Sequence, residues 1–234
     1  SYEDEDKKRA SARRLYIAGA PGSGKTVVML EAAASAAQKG MRVLIVCPTG
    51  QLVHNLKSQL PDVDGIENVE INTIHGVLQY KRPGADSKVK WSPPSALRRI
   101  DLILIDEASQ YDDQEWVRLM QCIMEQPQSP FTAVCADFQQ LQPLSSVSVC
   151  RAMCENMPTE TLTTVYRTDD PAHLLFLNRI RDKQPAKETA REYFGDRHWK
   201  NYSLDASVAY GMELAAEKRK HFAWLTCTNR GSSE

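Results

Sequence analysis

The sequence predicts an α/β fold, a parallel sheet with helices on both of its faces. Three observations predict it. Short apolar runs alternate with helix-like segments between residues 15 and 135. A glycine-rich segment joins the first of these runs to the first helix. A later run, Leu102-Ile103-Leu104-Ile105, stops at two adjacent carboxylates, Asp106-Glu107. Strands that are apolar at every position must be covered on both sides, which is the habit of parallel sheets fed by crossover helices.

Residues 1–13 are charged, with opposite signs in blocks, and are expected to fray. Leu15-Tyr16-Ile17-Ala18 is a buried strand. Residues 25–38 are alanine-rich and helical, ending at Lys39-Gly40, where glycine suits a left-handed cap. Val43-Leu44-Ile45-Val46-Cys47 is a second strand, closed by Pro48. A helix over 50–60 places Leu52, Val53, Leu56 and Leu60 on one side. Residues 69–72 read as a strand, and Thr73-Ile74-His75-Gly76 as a turn. Residues 81–96 hold Pro83, Gly84, Pro93 and Pro94 with Lys81, Arg82, Lys88 and Lys90, the composition of a basic surface loop or small insertion. A helix is predicted over 113–125 and a strand over 131–135. Beyond Tyr166 the character changes. Residues 172–194, broken at Gln184-Pro185, and 205–220 read as helices, and 222–226 as a last strand. This divides the chain into a first domain over 14–166 and a second segment over 167–234.

Composition narrows the class. Apolar residues make up 42% of the 234, enough for a substantial core. Net charge is −1 and the pI about 6.5, so a nucleic-acid partner would need a local basic surface. The first residues lack an apolar segment, and no apolar run nears the roughly 20 residues of a bilayer span. The chain is therefore expected to carry no leader or membrane anchor and to act as a soluble, intracellular monomer. The six cysteines (Cys47, Cys122, Cys135, Cys150, Cys154, Cys227) form no C-x-x-C pair. Cys150 and Cys154 would share a helix face, yet no further ligands lie at zinc spacing, so the cysteines are read as structural, Cys47 and Cys135 as core residues, in line with a reducing compartment.

Gly19-Ala20-Pro21-Gly22-Ser23-Gly24-Lys25-Thr26 matches the phosphate loop G-x-x-x-x-G-K-S/T in full, between a predicted strand and a predicted helix. Glycines let backbone N–H groups turn inward around phosphates, and the following helix points its N-terminus at the same anion. Lys25 supplies a point charge to the outer phosphates, and the Thr26 hydroxyl holds Mg²⁺. Asp106 and Glu107 end a buried strand, where ligands of parallel α/β sheets bind. Asp106 would hold the metal and Glu107 would polarise the attacking water. That pairing fits hydrolysis better than transfer to an alcohol.

Further segments follow in the order used by superfamily 1 helicases. Cys47-Pro48-Thr49-Gly50 resembles motif Ia, Thr73-Ile74-His75-Gly76 the T-x-H segment, and Asp106-Glu107-Ala108-Ser109-Gln110 motif II. Ala136-Asp137-Phe138-Gln139-Gln140-Leu141-Gln142-Pro143-Leu144 resembles motif III, G-D-x-x-Q-L-x-P, with alanine for its glycine. Leu162-Thr163-Thr164-Val165-Tyr166-Arg167 resembles motif IV, and Leu225-Thr226-Cys227-Thr228-Asn229 the T-x-T-N strand. The resemblance is to the superfamily 1B branch of RecD and the eukaryotic Pif (petite integration frequency) helicases. It implies a P-loop NTPase built on RecA-like domains, the second one partial, with ATP and Mg²⁺ as cofactors. It implies that Gln140 senses the γ-phosphate and that Arg167 reaches the phosphates from the second domain. Thr49, Thr73 and His75 would touch single-stranded DNA, with RNA as the alternative. The family's upstream adenine-reading glutamine segment and its motifs V and VI have no match in the sequence. The expected activity is therefore an ATP-dependent DNA helicase, possessed in part. A nucleotide- and DNA-binding fragment without unwinding, or a P-loop kinase, stays open.

Overall fold

The computed structural model of the chain describes residues 13–79, 97, 99–126, 128–140, 146–182, 186–194 and 212. Among them, the apolar runs become strands β1 (Arg14–Gly19), β2 (Val43–Cys47), β3 (Val69–Thr73), β4 (Leu102–Ile105) and β5 (Phe131–Ala136). A further strand, β6, spans Thr159–Leu162. All six lie in one parallel sheet in the order β3-β2-β4-β5-β1-β6.

Alternation along each strand explains why the runs are apolar throughout. Val43, Ile45 and Cys47 of β2, with Leu104 of β4 and Cys135 of β5, face helices α1 (Lys25–Gln38) and α2 (Gly50–Gln59). They pack there against Met29, Leu30, Ala33, Ala36 and Leu56. Leu44, Val46, Ile103, Ile105 and Val134 face the other way. That side is covered by the short α3 (Ile74–Val77), α4 (Asp113–Met124) and α5 (Ser148–Glu155). Trp116 of α4 is wholly buried, and its indole N–H donates to Met153 Sδ of α5 at 3.2 Å. A buried indole needs such a partner. The fold class is as predicted, an α/β parallel sheet covered on both faces.

Three elements differ from the expectation. Helix α5 places Cys150 and Cys154 one turn apart, both fully buried against the α4 side. Strand β6 is Thr-Glu-Thr-Leu and largely exposed at the sheet edge, so it carries no apolar run to betray it. The strand β3 turn tightens into α3, whose cap is Thr73. The helical reading of 172–194 resolves into α6 (Pro171–Arg181) and α7 (Ala186–Phe194). Asp170 caps α6 by accepting the Ala172 N–H at 2.9 Å, with Pro171 in the first turn.

The chain divides into two compact units, residues 1–169 and 170–234. In the second, Phe176 of α6 stacks on Tyr193 of α7 with ring centroids 4.5 Å apart. The expected basic loop over 81–96, the helix over 205–220 and the strand over 222–226 lie outside the described residues, apart from helical Met212. Among the described residues no helix is long and apolar enough to cross a membrane.

Candidate nucleotide site

Strand β1 ends at Gly19 and α1 begins at Lys25. The intervening turn needs left-handed backbone at Gly22 (φ 79°) and Gly24 (φ 90°), which only glycine adopts freely. Gly24 is the N-cap of α1 and offers no side chain to it, and the first turn of α1 contains no acid. The opening N–H groups of α1 are thus left to an external anion at the positive end of the helix. Lys25 is buried, and its ammonium donates to the loop carbonyls of Gly19 (2.7 Å) and Ala20 (3.2 Å). Two of its three N–H groups thereby hold the cation over the loop.

Asp106 follows β4, and its N–H donates to the Val46 carbonyl at 2.9 Å. Glu107 is held left-handed, at φ 48° and ψ 44°, and its N–H donates to Asp106 Oδ1 at 3.0 Å. Neither side chain caps the short 3₁₀ turn at Ala108–Gln110 that follows. Asp106 Oδ2 and Glu107 Oε2 are both buried without a hydrogen-bond partner. Burial, reinforced by the charge of Glu107, pushes the Asp106 carboxyl up to about 6, against the opposing pull of the Glu107 N–H and of Lys25. Two buried, unpartnered carboxylate oxygens suit a hard cation, and Thr26, in the first turn of α1, adds a hydroxyl. Mg²⁺ takes few protein ligands and completes its shell with water and phosphate oxygens, so this oxygen set fits it.

Strand β5 lies between β1 and β4 and delivers Asp137 between the phosphate loop and the carboxylates. The Asp137 carboxylate accepts from Gln139 N (3.1 Å) and from Gln140 Nε2 (3.4 Å), which orients the Gln140 amide. Ala136 is an ordinary buried strand residue, paired with Ala18, so its backbone needs no glycine.

Arg167 requires a correction. It was expected to arrive from the second domain, yet it lies in the first unit. The reason is β6, which pairs with β1 from Tyr16↔Thr159 to Gly19↔Leu162 and so ends beside the phosphate loop. The chain leaving β6 then binds the loop: Tyr166 N–H donates to the Gly22 carbonyl at 2.8 Å. A Cβ at Gly22 would meet the Arg167 Cβ at 2.5 Å. The boundary between units falls after Asp169, three residues later than the sequence reading placed it.

These residues meet around one cavity of about 800 Å³, lined by Pro21 through Val28, Glu107, Gln140, Leu162, Tyr166 and Arg167, with Leu52, Asn55, Leu56 and Gln59 of α2. Tyr166 is the residue that motif spacing gave no task; its ring covers Gly24. A second cavity, about 690 Å³, opens at the amino ends of the strands between Arg13, Asp101 and Phe131, away from every candidate residue.

Thr49, Thr73 and His75 gather elsewhere on the same carboxyl edge. Cys47 of β2 pairs with Thr73 of β3, so Thr49 and Thr73 leave neighbouring strands together. Both hydroxyls cap helices: Thr49 accepts from Leu52 N (3.3 Å) and Thr73 from Gly76 N (3.1 Å). His75 is exposed, with Nε2 2.7 Å from Glu115 Oε1. The order of strands separates β2 from β1 by three strand spacings, roughly 14 Å. The structure therefore brings the phosphate loop, Asp106, Glu107, Gln140 and Arg167 into one group and Thr49, Thr73 and His75 into another.

Comparison with known proteins agrees with this geometry. Residues 8–199 match the AAA domain family. An ATP-dependent RecD2 DNA helicase from Deinococcus radiodurans is 26% identical over 158 residues, 68% of this chain and 20% of that protein. The crystal structure of the Pif1 helicase from Candida albicans shares the fold with a TM-score of 0.57 at 20% identity, over 92% of this chain and 53% of that one. Pif1 from a Bacteroides species, solved in complex with ADP-AlF4, gives a TM-score of 0.51 at 15% identity over 86% of this chain and 53% of that one. The chain thus spans about a fifth of the curated relative and about half of the solved ones. The chain belongs to the AAA domain family.

Proposed function

We propose that this chain is the ATP-hydrolysing part of a helicase that moves on single-stranded DNA. The observation that carries the proposal is the convergence of the phosphate loop, Glu107, Gln140 and Arg167 on one cavity at the carboxyl ends of β1, β5 and β4. The N–H groups of Gly22 through Thr26 cradle the triphosphate, and Lys25 neutralises its outer oxygens. Thr26 and Asp106 hold Mg²⁺, which when bound neutralises phosphate charge. Glu107 orients the attacking water and takes its proton as the oxygen bonds to the γ-phosphorus and the bond to the bridging oxygen breaks. Arg167 and Lys25 stabilise the charge that develops on the transferred group. Gln140, steadied by Asp137, touches the γ-phosphate and responds to its loss.

Thr49, Thr73 and His75 form the strand-contacting edge. Grip there is on the backbone, so it is sequence-tolerant and weakens with salt. ATP hydrolysis measured with and without single-stranded DNA tests the reading. Hydrolysis stimulated by DNA is expected; none in either condition overturns it. A second reading is that the chain binds nucleotide and DNA without unwinding. Strand displacement by this chain alone would sink that second reading.

A further inference from the structure

The segment from Asp106 to Tyr111 closes on itself. The Tyr111 hydroxyl lies 3.0 Å from the Val46 carbonyl and 3.0 Å from the Asp106 carbonyl, and it has one hydrogen to donate between them. The residue is wholly buried. Val46 also accepts the Asp106 N–H, so one phenol ties the ends of β2 and β4 where the chain leaves the sheet. The Tyr111 N–H donates to the Ala108 carbonyl at 3.2 Å and completes the turn. Inside it sits Glu107, left-handed, a conformation that a non-glycine residue keeps only where its surroundings fix it.

Phenylalanine would fill the same space without burying a hydroxyl. A hydroxyl placed on two backbone carbonyls beside a strained turn therefore has a task of its own. We propose that Tyr111 is a positioning residue, whose hydroxyl pins the Asp106 carbonyl to β2 and so aims the Asp106 and Glu107 carboxylates into the site. This rests on the metal-holding role proposed for Asp106.

The test is Tyr111→Phe, which removes one oxygen. ATP is titrated by calorimetry into wild type and variant, once with Mg²⁺ and once with EDTA. The affinity gained from Mg²⁺ should fall about tenfold in the variant, the usual effect of losing a hydrogen bond behind a metal ligand. Affinity in EDTA should not change, because the phosphate loop lies on β1 and α1. An equal Mg²⁺ gain in both proteins overturns the proposal. Hydrogen exchange at the Glu107 amide, followed without nucleotide, tests Tyr111 independently of the metal reading. Faster exchange is expected in the variant, and unchanged protection overturns the proposal.

Discussion

Helices α4 and α1 both begin with backbone N–H groups that have no partner inside the helix. At α4, Asp112 Oδ1 accepts the Glu115 N–H at 2.8 Å, and Glu115 Oε2 accepts the Asp112 N–H at 3.2 Å. That is a complete capping box, and Glu115 still has its other oxygen on His75. At α1 the cap is Gly24, no side chain bonds the first turn, and the nearest charge is the buried cation of Lys25. One helix start is satisfied from within the chain, and the other leaves its donors for a ligand. The difference teaches where stability was given up: relative to a side-chain cap, the glycine start of α1 costs roughly a few tenths of a kcal/mol. The Asp106 carboxylate, held buried and charged, makes the same sacrifice beside it.

The sharpest test of this contrast is Lys25→Ala. Loss of the ammonium should reduce kcat for ATP hydrolysis by about a thousandfold, the scale of a lost charge-stabilising donor. Unchanged turnover would mean that the α1 start is not a phosphate site. Glu107→Gln should slow hydrolysis by about a hundredfold while ATP affinity by calorimetry stays near wild type. Weaker binding with an unaltered rate would contradict the water-orienting role.

Asp106→Asn sharpens the stability side. The carboxyl is raised to about 6, above its unfolded value, so its charged form is disfavoured in the folded protein. The stability tied to this group is fully present at acid pH and is lost as pH rises through about 6. In metal-free protein, Asp106→Asn should therefore raise stability at pH 8 by up to about 3 kcal/mol, and the gain should vanish near pH 4. Urea denaturation at the two pH values reads it; a variant less stable than wild type at pH 8 would show the carboxylate to be well solvated or paired. The smallest effect is at α4. Asp112→Ala should cost about 1 kcal/mol of stability in the same assay and leave ATP affinity unchanged. A fall in ATP affinity would break the separation between the two helix starts.

Much of the candidate nucleotide site was legible because its residues form local patterns. The eight residues from Gly19 to Thr26 carry their conformation in their glycines, and Asp106-Glu107 announces itself by ending an apolar run. Strand β6 was illegible because Thr159, Glu160 and Thr161 are exposed and bury nothing. Arg167 was consequently assigned to the wrong unit, although the motif that carries it had been recognised. Tyr111 gave no signal either, since a tyrosine after a polar segment reads as an ordinary core or surface residue.

By itself, the sequence determined β1 to β5, the helices over 25–38, 50–60 and 113–125, and the presence of a phosphate-loop motif and a carboxylate pair. Those properties follow from periodicity and from turn chemistry over a few residues. Only the tertiary structure decided that β6 lies against β1, that β5 inserts Asp137 and Gln140 between the loop and the carboxylates, and that Tyr111 reaches Val46. Parallel pairing joins residues far apart in the chain, such as Tyr16 and Thr159, and no local pattern specifies which strand will be the neighbour.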